Sequence, residues 1–319
     1  MIGRQRQPHA GGVTLIELLI SMTIGLLVLA AIVHALTLSS RYLRRAEALA
    51  LMQEQADVAM RYLYDDLTLS GHWGVAGRSE NISGGARSSN DNPDGLALPT
   101  RCTPRFVTEL QQPVMAFENP SPWGCSLEAV AGADALVTRY AQPALVDPQP
   151  GRLQVEVTPG AGRLTASGVP GAAALQQRHD YRVAGYYVAA RSNLFPEQPV
   201  LRRITLGAGT AGPRFVDEEI TQGIETLQVR IAADSNGDGV PDAMLDAGDP
   251  RLQLRATDGG HRYQAMAVTV SIIVRSAEPN WPNETSAAFE LADLHWQPPA
   301  DGYLRASASR TAMLRNAPR

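Results

Sequence analysis

The sequence contains no lysine: all 28 basic residues are arginine, set against 32 acidic residues for a formal net charge of −4. Beside so much Ala, Gly and Pro, this reads as compositional bias of the genome. No basic stripe interleaved with aromatics is present, so nucleic acid is not an expected partner. Motifs of hydrolytic chemistry are also missing. There is no HExxH and no GxSxG, and the single GxGxxG, Gly207 to Gly212, runs into Pro213 and Arg214 where a phosphate-binding helix would have to open, so it reads as a loop. Histidines 9, 34, 72, 179, 261 and 295 are scattered along the chain and form no sequence motif. Cysteine is almost absent. Cys102 and Cys125 are separated by 22 intervening residues in a stretch rich in Pro, Gly and Asn. No nearby Cys or His completes a four-ligand zinc set. In an oxidising compartment the pair would form a disulfide closing one loop; in a reducing one it would be two buried thiols. No proline lies between Pro8 and Pro93, so nothing there breaks a long helix.

What the chain does have is an unusual amino terminus. Residues 1 to 12, MIGRQRQPHAGG, are short and basic and read as an address. From Val13 to Leu38 the 26 residues are apolar, and Glu17 is the one formal charge among them with His34 neutral. That run is long enough to cross a bilayer, which takes about 20 residues. An acidic group there is unfavourable by a few kcal/mol and calls for a partner cation. Beyond it, Leu49, Met52, Ala56, Ala59, Leu63 and Leu67 recur at helical spacing, and Gly71 supplies a stop. The pattern predicts one helix over about 13 to 70, on the order of 87 Å long at 1.5 Å per residue. Its first part, 13 to 38, is apolar all round, and 39 to 70 is amphipathic.

After Gly71 the sequence turns β-rich. Strands are expected at 134 to 140, 152 to 157, 181 to 190, 199 to 206, 224 to 232 and 264 to 276, the last carrying Met266, Val268, Val270, Ile272 and Val274 in alternation on one face. Long loops are expected at 77 to 100 and 141 to 151, and a loosely held polar tail at 301 to 319. With 44% hydrophobic residues, the segment 71 to 300 can build a real core. Three readings of the terminus compete. A cleavable secretory signal would use Arg4 and Arg6 and cut after Val33 to Ala35, but the apolar run is too long for it. A permanent anchor has the right length, although Arg41, Arg44 and Arg45 beyond the span leave its orientation unset by charge.

The third reading rests on Gly12 to Ile20, GVTLIELLI, which resembles the processing and N-methylation segment of type IV prepilins. The resemblance implies cleavage after Gly12 by a prepilin peptidase and methylation of Val13, where the family usually has phenylalanine. It also implies that Glu17, fifth after the cut, pairs with the amino terminus of a neighbouring subunit during assembly, a carboxylate compensated by an amine in the same layer. Gly25 would permit close approach of helices. Stretches 51 to 77, 180 to 195, 220 to 242 and 265 to 276 resemble the PilW family of type IV pilus assembly proteins. That family implies an α+β, type IV pilin-like fold: a long hydrophobic helix packed on a mostly antiparallel β-sheet head. It further implies a minor pilin that primes assembly with other minor pilins and the major pilin and helps carry a tip adhesin. The protein would sit in the inner membrane with its head in the periplasm, then at the pilus tip. A type II secretion pseudopilin is the alternative, and a membrane-anchored hydrolase a more distant one.

A second motif lies at DSNGDGVPD. Asp234, Asn236 and Asp238 place oxygen ligands at alternating positions, Gly239 gives a sharp turn, the Val240 carbonyl and Asp242 continue the set, and Asp246 or Asp249 would close it around calcium. Leu245 stands where an EF-hand needs glutamate, and the flanks are not two helices, so a calcium-organised loop is expected rather than an EF-hand. A solvated turn between strands is the alternative.

Overall fold

The computed structural model describes residues 12–85, 98, 102–118, 128–169, 176–253, 263–281 and 287–316. The chain divides into two compact units, residues 1–50 and 51–319. One helix, α1 (Leu15–Leu69), contributes to both. Within the first unit its apolar side chains are exposed, Leu15 at 80% and Leu27 at 71%. In the second unit it buries Met52, Ala56, Ala59, Met60, Leu63, Asp66 and Leu67, a stripe at three- and four-residue spacing. Leu49, expected on this stripe, is exposed instead.

The remainder forms a short helix α2 (Pro104–Thr108) and strands β1 (Ile82–Ser83), β2 (Val114–Phe117), β3 (Ala135–Leu145), β4 (Gln154–Thr158), β5 (Ala161–Thr165), β6 (Gln177–Ala189) and β7 (Val200–Gly207). The chain continues through β8 (Arg214–Gln222), β9 (Ile224–Asp234), β10 (Ala243–Asp246), β11 (Gln264–Arg275), β12 (Phe289–Leu291), β13 (Leu294–Trp296) and β14 (Arg305–Met313). The larger sheet is organised on β6. It pairs with β3 along one edge, with β4 near its start and with β7 near its end on the other, and β8 extends β7. The second sheet runs β10-β9-β11-β14, and β12-β13 form a separate hairpin. Among the described residues every strand pairing is antiparallel except β1 with β5.

Alternation along β6 and β3 creates two different faces. Tyr181, Val183 and Tyr187 of β6, with Ala135, Val137 and Ala141 of β3, join the buried cluster that includes Trp73, Phe106 and Leu110. Tyr186 of β6 and Tyr140 of β3 point the other way, to Asp66 on α1. The buried Arg139 donates from Nε to the Phe106 carbonyl at 2.9 Å and from Nη1 to the Gln112 carbonyl at 2.8 Å, fixing the α2 segment over the first face. Of the alternating residues of β11, Val268, Val270, Ile272 and Val274 are buried and Met266 is half-buried; Ala267, Ser271 and Ile273 of the opposite face are buried too, so the strand is covered on both faces.

Two expectations change. Residues 141 to 145, read as loop, continue β3. The tail is not loose: Arg305–Met313 is a nine-residue strand registered against β11 from Arg275 to Ala267. Arg305 anchors it, with Nε 2.7 Å from Glu225 Oε2 and Nη2 2.6 Å from Asp301 Oδ2, its side chain 1% exposed.

Candidate assembly site

Gly12 and Val13 precede α1, and Val13 is 74% exposed. The carboxylate of Glu17 closes a capping box at the helix start: Thr14 donates its backbone N–H and its hydroxyl to Glu17 Oε2, both at 2.9 Å. In return the Glu17 amide donates to Thr14 Oγ1 at 3.3 Å. Two amide groups at the helix start are thereby satisfied by side chains. The signal was present in the sequence as Thr-Leu-Ile-Glu, a Ser/Thr followed three residues later by an acid. The structure therefore gives Glu17 a local role within its own chain. Gly25 lies inside the uninterrupted helix with open space around it. α1 is long and apolar enough to cross a membrane.

In the head, a site that pattern reading missed sits on the last turns of α1. Asp66 is 7% exposed and accepts from Tyr140 Oη at 2.7 Å and from Tyr186 Oη at 2.5 Å, with Arg203 Nη1 at 3.7 Å. Tyr186 Oη also lies 3.1 Å from the Tyr62 carbonyl, and the Arg203 guanidinium stands 4.9 Å from the Tyr62 ring centre. Burial drives both phenols well above their ordinary titration range, reinforced by the Asp66 charge, so they remain donors at any working pH. At the helix end, Asn316 Nδ2 donates to the Thr68 and Ser70 carbonyls at 3.3 and 3.4 Å.

The acidic loop leaves β9 at Asp234, which is 2% exposed. Its Oδ1 accepts from the amides of Asn236 and Gly237 at 3.0 and 2.7 Å, and its Oδ2 from Gly239 at 2.7 Å. Burial works against its ionisation, yet these amides hold its carboxyl below the usual carboxylate range. Gly237 and Gly239, at φ 83° and 82°, take the left-handed conformation that this wrap requires. Asp238 accepts from the Val240 amide at 2.8 Å, and Asp242 from the Ser235 amide and hydroxyl at 2.9 and 2.7 Å. Asp246 belongs to β10 and pairs with Arg230 at 2.7 Å, while Asp249 pairs with Arg251 at 2.6 Å. Among the described residues no group of three or more His, Cys, Asp or Glu is arranged to hold a metal ion. Cys102 is buried and Cys125 lies outside the described residues. Of the histidines, His72 and His179 meet, with ring centres 6.3 Å apart, and each places Nδ1 2.8 Å from a β3 carbonyl, Ala141 and Gln142. The Gly207 to Gly212 stretch joins β7 to β8, a turn as expected.

Comparison with known proteins adds two family matches. Residues 185–316 match the family described as Type IV Pilus-assembly protein W, and residues 8–33 match the prokaryotic N-terminal methylation motif. Among solved structures, a type IV-like pilin from Thermus thermophilus is similar at 14% identity and a TM-score of 0.35, covering 86% of this chain and 98% of that one. Among curated proteins there is no match.

Proposed function

We infer that this type IV pilin-like protein of the PilW family acts as a minor pilin, joining other minor pilins and the major pilin in a complex that primes pilus assembly and carries an adhesin at the tip. The observation that carries the reading is the terminus. A peptidase-type segment with Gly12, Val13 and Glu17 opens directly into an exposed apolar helix that a membrane can hold before a filament does. In this reading the leader is removed, Val13 is methylated, and the head waits in the periplasm on a single inner-membrane span. The head contributes surface, not catalysis.

Intact mass of the protein from its native membrane tests processing: a chain starting at Val13 with one added methyl group is expected, lighter by the two thiol hydrogens where Cys102 and Cys125 are bridged. A chain starting at Leu36 would overturn the reading. Glu17→Ala is expected to abolish piliation while leaving the head folded. Loss of protein secretion with normal piliation on deleting the gene would instead favour a type II secretion pseudopilin.

A further inference from the structure

Strand β14 ends the second sheet and pairs with β11 alone. Nine consecutive residue pairs, from Arg305 with Arg275 to Met313 with Ala267, run without a bulge. The Leu314 amide donates to the Met266 carbonyl at 2.8 Å and the Ser276 amide to the Leu304 carbonyl at 2.9 Å, so the even-numbered residues of β14 make the ladder. The N–H and C=O groups of Ser307, Ser309, Thr311 and Met313 therefore point outward, and all four residues are exposed. Of the other strands that end the two sheets, β1 has two residues and β2 and β10 have four each. β8 is as long as β14 but carries a register shift and three successive acids. Short strands, bulges and charges are the devices that keep an edge from pairing. β14 instead presents Ala306, Ser307, Ala308 and Ser309 in succession, side chains small enough for another backbone to lie alongside.

We propose that this edge is a strand-addition site for an extended acidic segment of a different subunit. In that mode of recognition the backbone ladder supplies the affinity and the flanking side chains choose the partner. From Arg305 to Arg315 the chain has three arginines and no acid. Arg305 is consumed by Glu225 and Asp301. Arg310 and Arg315 are exposed and reach no carboxylate among the described residues, Arg310 lying over the Tyr64 ring at 3.8 Å instead. A guanidinium fork matches a carboxylate in shape as well as charge, so two of them beside an open ladder select an acidic strand. The same charges act against a second β14 as the occupant, because like charges facing one another across a strand pair are destabilising. The occupant is thus chemically unlike this edge, as a complex of different subunits requires. The inference rests on the assembly reading above for the source of the strand, and it adds the surface and the chemistry of one contact.

The test uses the full chain in micelles of a non-ionic detergent. The probe is a fluorescein-labelled peptide of alternating threonine and glutamate, nine residues long like β14. It is compared with the same peptide carrying lysine in place of glutamate. At low salt the acidic peptide is expected to bind roughly tenfold more tightly by fluorescence anisotropy, because its carboxylates meet arginines beside a partly desolvated ladder. The net charge of −4 works against that preference, so the preference reports the local surface. Arg310→Glu with Arg315→Glu is expected to reverse it. Hydrogen exchange locates the peptide. The outward amides of Ser307, Ser309, Thr311 and Met313 are expected to exchange fast in the free chain and to slow when the acidic peptide is added, while the inward amides of Ala306, Ala308, Arg310 and Ala312 are slow throughout. No binding of the acidic peptide, equal binding of the two peptides, a preference that survives the charge reversal, binding that leaves the outward amides fast, or outward amides already slow in the free chain overturns the proposal. Failure of the assembly reading is separate: it appears in the mass at Val13 and in the piliation of Glu17→Ala, neither of which involves β14.

Discussion

Replacing Asp66 by alanine should detach the end of α1 from the larger sheet. The carboxylate accepts two phenolic hydrogen bonds, from Tyr140 at 2.7 Å and Tyr186 at 2.5 Å, and both rings are at most 4% exposed. A hydrogen bond to a charged group contributes about 1.5–3 kcal/mol, and a buried donor left without a partner costs a further 1–3 kcal/mol. Tyr186 retains the Tyr62 carbonyl at 3.1 Å and Arg203 retains Glu218 at 2.6 Å, so only Tyr140 is fully stranded. The expected loss is therefore about 3 kcal/mol, with Asp66→Asn, which keeps an acceptor, losing about half of that. Urea unfolding of the full chain in detergent measures it, followed by tryptophan fluorescence, since Trp73 lies in the head core at 3% exposure. Asp65→Ala is the control: its side chain is exposed and has no partner among the described residues, so its effect should stay within about 0.5 kcal/mol. Equal midpoints for the Asp65 and Asp66 variants would refute the latch.

Asp134 is buried, and burial pushes its carboxyl up to about 8, with Glu118, Asp293 and Asp246 adding repulsion against the opposing pull of the Val229 amide. Its folded state thus holds a proton that the unfolded state releases near 3.8, so stability should fall as pH rises from about 4 to 8. Asp134→Asn, which can still accept from Val229, should flatten that slope; an unchanged pH profile would reject the assignment. Calcium in excess over EGTA tests the calcium reading of the acidic loop: binding would add about 2.7 kcal/mol of stability at a hundredfold excess over Kd, seen as a rise in Tm that Asp238→Ala abolishes. A Tm indifferent to calcium would reject that reading and leave the loop to the amides that wrap Asp234. Ending the chain at Leu304 should prevent the head from folding, because it deletes β14 and leaves Glu225 with Arg275 alone; a cooperative unfolding transition in the truncated chain would show that the strand is dispensable.

The strongest periodicities were legible because one residue type repeats on one face, as in β11 and in the Met52 to Leu67 stripe. The elements that escaped are those whose stability comes from partners remote in sequence. β8 contains Asp217, Glu218 and Glu219 in succession and was not among the expected strands. It is a strand because Arg202 and Arg203 of β7 answer those acids at 2.6 to 3.0 Å. β14, RASASRTAM, has a single β-branched residue and reads as a tail, yet β11 supplies its register and Arg305 its anchor. Asp66 was hidden for the same reason: its tyrosines lie 74 and 120 residues away, and a polar residue between Leu63 and Leu67 carries no mark of burial in the sequence.

Glu17 was read as a charge in need of an external cation, and the capping box refines that demand. Both Thr14 donors converge on one oxygen, Oε2, while an ionised carboxylate has about four acceptor positions over two oxygens. The cap therefore orients the group without exhausting it, and Oε1 retains capacity for an amine from outside. It also lowers the cost of carrying the charge in an apolar layer, because two local donors replace part of the lost water. A glutamate free to rotate would have to be ordered at the moment a neighbour arrives, whereas one held by Thr14 is already placed. Replacing Thr14 with valine separates the two roles: Glu17 keeps its charge but loses the hydroxyl. If orientation matters to assembly, pilus incorporation should fall while processing at Val13 stays intact; incorporation at the wild-type level would mean that charge alone suffices.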